Sequence, residues 1–161
     1  MASRIHSLVP RAALAGIVLV PVAGFLVYRS LTSTYEPPSG TDVFALAQGA
    51  WAWSESDTSC LTEPESISFT PDHKGMIITM AHPYKLPNGR WDSVAFYDVV
   101  SVTRASIRGA MRGETRLTAD SQLVVWDLML KSPDRFVWHR TDWAKWQHTR
   151  AVRRCPRGPR S

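Results

Sequence analysis

Between residues 49 and 141 the chain alternates apolar and polar side chains with the two-residue period of β-strands. Turn sequences such as Pro71–Gly75 and Asn88–Gly89 separate the alternating runs. The runs cover residues 49–54, 65–70, 76–82, 93–103, 105–118, 122–130 and 135–141. Because no run requires a crossover helix, the pattern predicts an all-β fold of six to eight antiparallel strands, either a meander or a small up-and-down β-barrel.

An apolar segment of a different kind precedes the strands. Residues 12–28 form 17 consecutive positions without a charge, which as a helix would cover roughly 26 Å and span a membrane with little tilt. Arginine precedes the segment at positions 4 and 11 and follows it at 29, which favours a cytoplasmic amino terminus. We therefore expect a cytoplasmic amino terminus at 1–11, a transmembrane signal anchor at 12–28 and a linker at 29–46.

This anchor would place the β domain, residues 47–143, outside the cell or in the periplasm. A cleaved signal peptide followed by secretion is the main alternative, although no Ala-x-Ala cleavage site follows Tyr28. A mitochondrial targeting segment and a buried helix are further alternatives. Cys60 and Cys155, the two cysteines, lie in the exported part, where a disulfide between them is expected; two free thiols are the alternative.

The net charge of +5 is unevenly distributed along the 161 residues. Residues 1–40 carry +2, residues 41–143 carry −3, and the basic C-terminal tail at 144–161 carries +6. The tail arginines predict contact with an acidic protein or anionic lipid, and a disordered solubilising end is the alternative. Nucleic acid is not an expected partner of an exported domain. The tail residues assigned to this basic contact are Arg150, Arg153 and Arg154.

A second basic feature lies within the run at 105–118. Arg108, Arg112 and Arg116 recur every four residues, so on one strand they would form a stripe on one face at about 13 Å intervals. Such a stripe could contact phosphate groups or an acidic partner. A solvated face paired with acids on neighbouring strands is the competing interpretation.

The first predicted strand carries a resemblance to a known family. Gly49-Ala50-Trp51 resembles the Gly-x-Trp start of lipocalins, and Arg140 on a late strand is similar to the lipocalin arginine that packs over that tryptophan. The resemblance covers about residues 47–143 and implies a calycin-like β-barrel. It assigns Trp51 and Arg140 structural roles.

Three tryptophans and a methionine supply the candidate ligand contacts. Trp53, Met111, Trp126 and Trp138 fall on the predicted strands, and large side chains of this kind line apolar pockets or fill a small barrel. No nucleophile, nucleotide-binding or metal-ligand motif is present in the sequence, so we expect no enzyme, cofactor or metal. The first hypothesis is a membrane-anchored binding module for a small apolar ligand or lipid. The alternative is an accessory subunit that docks on a membrane complex through its helix and basic tail.

Overall fold

The computed structural model describes residues 35–56 and 58–156. The predicted cytoplasmic segment and transmembrane anchor, together with the first part of the linker, lie outside the described residues. In the part of the chain that is described, no helix combines the length and the apolar character needed to cross a membrane.

Eight antiparallel strands form a closed β-barrel in which each strand pairs with the next along the chain. β8 pairs with β1, which closes the barrel and leaves no open sheet edge. This result confirms an all-β antiparallel fold and selects the barrel over the open meander. The strands are β1 Gly49–Ala52, β2 Glu65–Phe69, β3 Gly75–Lys85, β4 Trp91–Val102, β5 Ser106–Met111, β6 Trp126–Ser132, β7 Arg135–Arg140 and β8 Val152–Arg154.

The core consists of alternate side chains that point inward from these strands, as the two-residue period requires. Met76 and Ile78 on β3 are buried, as are Ile107 on β5 and Leu128 on β6. Trp51 is fully buried and its ring meets Phe136 of β7 edge to face at 4.8 Å. Side chains from both halves of the barrel therefore meet in one core.

A short helix, α1 (Val43–Ala47), lies before β1 and covers the end of the barrel where β1 begins. The side chain of Asp42 accepts a hydrogen bond from the amide of Phe44 at 2.9 Å, which caps the helix. Phe44 packs edge to face on Phe69 at the end of β2. Since Val43 and Ala47 are buried, α1 closes this end of the barrel with apolar side chains.

The run predicted at 105–118 is shorter in the structure than expected. β5 ends at Met111, and Gly113 adopts a positive φ of 79° that turns the chain out of the sheet. Leu117 is consequently 58% exposed and not part of the core face. The alternation after Met111 reflects a loop with mixed residues, so it does not continue the strand.

The predicted domain boundary at residue 143 is wrong, because the barrel continues through β8. Val152 is fully buried, and β8 pairs with both β1 and β7. Residues 152–154 of the predicted basic tail therefore belong to the barrel. The pattern missed β8 because a three-residue strand within a basic segment has too few positions to show alternation.

The predicted disulfide is present. Cys60 lies in a second short helix, α2 (Ser59–Thr62), and Cys155 follows β8 directly. Their Cα atoms are 5.5 Å apart and their sequence separation is 95 residues. The disulfide ties the segment after the first strand to the end of the last strand, next to the seam where the barrel closes.

Candidate functional site

A cavity of about 520 Å³ opens at the barrel end opposite α1. Its walls come from the ends of β3, β5 and β7 and from the beginnings of β2 and β6, with adjoining loop residues. All four predicted ligand contacts lie in this wall. The lining residues are Trp53, Glu65, Ile78, Met80, Tyr84, Lys85, Pro87, Tyr97, Met111, Arg116, Trp126, Trp138 and Thr149.

Glu65 is the buried carboxylate of this wall, with 5% of its surface exposed. The indole Nε1 of Trp53 donates a hydrogen bond to its Oε2 at 2.8 Å. Within residues 35–56 and 58–156, no group donates to its Oε1. Burial raises the pKa of Glu65 from 4.5 to about 7, against the opposing effect of the Trp53 hydrogen bond. The carboxyl group is therefore close to its titration midpoint at neutral pH.

Two tyrosines on adjacent strands form another side of the cavity. Tyr97 on β4 stacks on Trp138 with a centroid distance of 5.7 Å and an angle of 17°. Gly109 allows this arrangement, because a Cβ there would lie 3.1 Å from the Cβ of Tyr97. Burial raises the pKa of both Tyr84 and Tyr97, and the charge of Glu65 contributes in the same direction.

Arg116 and Glu114 form a charged pair next to the cavity. The guanidinium of Arg116 donates two hydrogen bonds of 2.7 Å to the two carboxylate oxygens of Glu114. Burial alone would raise the pKa of Glu114, but hydrogen bonds from Arg116 hold it below its usual value. The charge of Arg116 is thus largely balanced by its own partner. Its guanidinium also lies 5.3 Å from the ring of Trp126, which lines the cavity.

The arginine that packs over Trp51 is Arg154, so the assignment of this role to Arg140 is wrong. The guanidinium carbon of Arg154 lies 4.1 Å from the Trp51 ring centroid. Arg140 instead pairs with Asp142 at 2.8 Å and lies over Trp126 and Trp143. The difference follows from the additional strand, since β8 rather than β7 pairs with β1 at Trp51.

Trp51 and Arg154 also fix the closed end of the barrel. The indole Nε1 of Trp51 donates to the carbonyl of Ala47 at 2.9 Å. Arg154 donates to the carbonyls of Gln48 and Pro133 at 3.0 and 3.1 Å, and also to that of Leu46. These bonds connect α1, the β6–β7 turn and β8 around the buried Trp51.

The three arginines predicted as a basic stripe do not lie on one strand. Arg108 lies on β5, Arg112 follows its end and Arg116 is in the loop beyond. Arg108 forms a bidentate pair with Asp127 at 2.8 and 3.0 Å, and Arg112 pairs with Asp98 at 2.7 Å. Because each of the three pairs with an acid, the structure favours the competing interpretation of a solvated, ion-paired face.

The arginines of the predicted basic tail also have structural contacts. Arg153 donates to the carbonyls of Ser54 and Ser56 at 2.9 and 2.6 Å. Arg150 lies 5.8 Å from the ring of Trp53 at the cavity wall. Together with the bonds of Arg154, these contacts show that the basic segment helps to close the barrel.

Sequence reasoning missed Glu65, Tyr84, Tyr97 and Arg116 as cavity residues. For Glu65 a signal was present, since it lies two residues before Ile67 and therefore shares its inward face on β2. Tyr97 similarly shares the phase of buried Ala95 on β4. Among the residues described, no group of three or more His, Cys, Asp or Glu side chains is arranged to hold a metal ion.

The fold and the cavity define a small, closed, eight-stranded up-and-down β-barrel with an internal aromatic cavity, an architecture compatible with a lipocalin-like barrel. No family model matches the chain, and neither a curated protein nor a solved structure is significantly similar to it.

Proposed function

We propose that this barrel is a non-enzymatic binding module that holds a small, mainly apolar molecule or a lipid. The observation that carries the proposal is the cavity of about 520 Å³ with its aromatic wall. Pockets that bind small molecules commonly measure roughly 300–1,000 Å³ and combine apolar walls with a few polar groups. A filled barrel interior would instead favour the accessory subunit.

The arrangement of the barrel supports binding without a large rearrangement. α1, Trp51 and Arg154 close one end, while the cavity opens at the other. The disulfide holds the seam between the first and last strands. A ligand would therefore enter a preformed site, which limits the ordering cost of binding.

The disulfide also supports an exported barrel, because such bonds persist mainly in oxidising compartments. The membrane anchor at residues 12–28 is part of the same proposal. Membrane fractionation of the full chain tests the anchor. Retention in the membrane pellet after alkaline extraction is the expected result, and release into the supernatant would favour the cleaved and secreted form.

Binding is tested by titrating the purified protein with N-phenyl-1-naphthylamine, an apolar fluorescent probe, and following quenching of tryptophan emission. We expect saturable binding with one site per barrel. Met111→Trp replaces a thioether side chain of the cavity wall with a bulkier indole ring. Because the indole occupies space that the probe needs, this variant should weaken binding at least about tenfold. Leu123→Trp is the matched control, because Leu123 is 56% exposed and does not line the cavity.

The variant comparison has a clear negative outcome. Equal affinities of the Met111→Trp variant and the wild type would place the probe outside the cavity and contradict the proposal. Native mass spectrometry of the membrane-extracted protein adds an independent readout. A co-purifying small molecule supports the binding module, whereas a stoichiometric protein complex with no ligand mass would support the accessory subunit.

A further inference from the structure

Glu65 provides a feature that a purely apolar ligand would not use. The residue is buried in the cavity wall, with 5% of its surface exposed. Trp53 satisfies Oε2, but no described residue donates to Oε1. A buried carboxylate oxygen without a donor is costly, so a ligand that brings a donor to this atom gains affinity.

The other charged residues around the cavity determine whether a cationic or an anionic ligand fits. Arg116 reaches the wall, but both of its close bonds go to Glu114. Lys85 is exposed at the end of β3, and Arg150 is exposed, with its guanidinium carbon 5.8 Å from the centroid of the Trp53 ring. Glu65 is therefore the buried charge of the wall that has bonding capacity to spare.

Aromatic rings surround the same space and favour a cation. Five of the lining residues carry such rings, and ring faces attract ammonium groups most strongly where water is excluded. The tyrosine hydroxyl groups near Glu65 remain neutral at physiological pH, because burial raises their pKa values further. The five residues are Trp53, Tyr84, Tyr97, Trp126 and Trp138.

We propose that the cavity selects small amphipathic amines, whose ammonium group donates a hydrogen bond to Glu65 Oε1 while the aromatic wall encloses the apolar part. This inference rests on the proposed binding function and specifies the ligand class. It also predicts pH-dependent affinity, because the ammonium group requires Glu65 in its ionised form. Below pH 7, the affinity for an amine should fall by up to about tenfold per pH unit.

The test uses three probes of one shape: 1-naphthylmethylamine, 1-naphthalenemethanol and 1-naphthoic acid. Isothermal titration calorimetry at pH 8 should give a Kd for the amine at least about tenfold lower than that for the alcohol. The reason is that a hydrogen bond from a charged ammonium group to a carboxylate is stronger than one from a neutral hydroxyl group. Glu65→Gln should remove this preference and leave alcohol binding unchanged. Glu63→Gln is the matched control, because Glu63 is exposed two residues away.

A second measurement needs no variant and covers the case in which Glu65→Gln does not fold. Lowering the pH from 8 to 5.5 should weaken binding of the amine to the wild type by at least about tenfold and leave binding of the alcohol unchanged. Equal Kd values for amine and alcohol, or tightest binding of the acid, would overturn the amine inference and leave the binding module intact. Failure of all three probes to bind would overturn both.

Discussion

At the scale of the residue, Glu65 lowers the stability of the barrel by the same burial that makes its carboxylate available to a ligand. Its carboxylate is buried with one satisfied oxygen, and its pKa is raised from 4.5 to about 7. Between these two pH values the unfolded chain has released the proton that the folded barrel still holds. The barrel therefore loses stability as the pH rises through this window and shows no further loss from Glu65 above about 7.

Glu65→Gln removes this contribution, so its advantage over the wild type should grow with pH. We expect the difference in free energy of unfolding between the variant and the wild type to increase by about 3 kcal/mol from pH 4.5 to pH 8. Urea unfolding followed by tryptophan fluorescence measures this difference. Glu63→Gln should show no such change, and a constant difference for Glu65→Gln would contradict the assigned pKa shift.

Arg154 shows how a side chain can stabilise several elements at once. It covers the Trp51 ring at 4.1 Å and donates to carbonyls of α1 and of the loops next to β1 and β7. Its aliphatic stem and planar head make it suitable for this position, where a lysine could not form the same set of bonds. The sequence pattern located Trp51 correctly, but the identity of its arginine depended on knowing that an eighth strand exists.

At the scale of the element, β8 is the shortest strand and the one on which closure depends. Val152 is fully buried and β8 has pairing partners on both sides. Val152→Asp would place an unpaired carboxylate in the core, so we expect loss of the cooperative unfolding transition or destabilisation by more than about 3 kcal/mol.

Lys145→Asp provides the comparison, because it also introduces a carboxylate, but at an exposed position before β8. It should alter the free energy of unfolding by less than about 0.5 kcal/mol. Circular dichroism in the near ultraviolet, combined with urea titration, compares the two variants. Equal and small effects would show that residues 144–156 contribute little to the barrel, in conflict with the described pairing of β8.

The elements also show where sequence periodicity stops being informative. Long alternating runs predicted β3, β4, β6 and β7, because each strand has enough positions to show a two-residue period. β5 was predicted too long, since the alternation continued past Gly113, whose positive φ ends the strand. β8 was missed because its three positions, within a basic segment, are too few to show the two-residue period.

At the scale of the whole molecule, the sequence predicted four side chains of the cavity wall, three of them tryptophans, but not the two tyrosines or the empty space between the walls. Trp53, Met111, Trp126 and Trp138 all reach the cavity wall. Trp51 and Phe136, by contrast, pack together at the closed end. Whether large rings fill a barrel or line a space depends on its closure and strand tilt, which are properties of the entire sheet.

Closure of the barrel depends on a narrow seam, where β1 and β8 share two residue pairs, Trp51 with Arg154 and Ala52 with Arg153. The Cys60–Cys155 disulfide lies beside this seam and links positions 95 residues apart. Cross-linking so long a segment restricts the unfolded chain, by about 4–5 kcal/mol on a chain-entropy estimate. A small barrel with few pairs at its seam should therefore lose much of its stability when the bond is reduced.

We expect a reductant to lower the free energy of unfolding of the wild type by about 3–5 kcal/mol, measured by urea titration. The Cys60→Ser, Cys155→Ser double variant should match the reduced wild type and show no response to reductant, which separates loss of the disulfide from other effects of the reagent. If the wild type has the same stability with and without reductant, the bond does not hold the seam. Closure would then depend on the two backbone pairs and on Arg154, whose guanidinium covers Trp51 from β8.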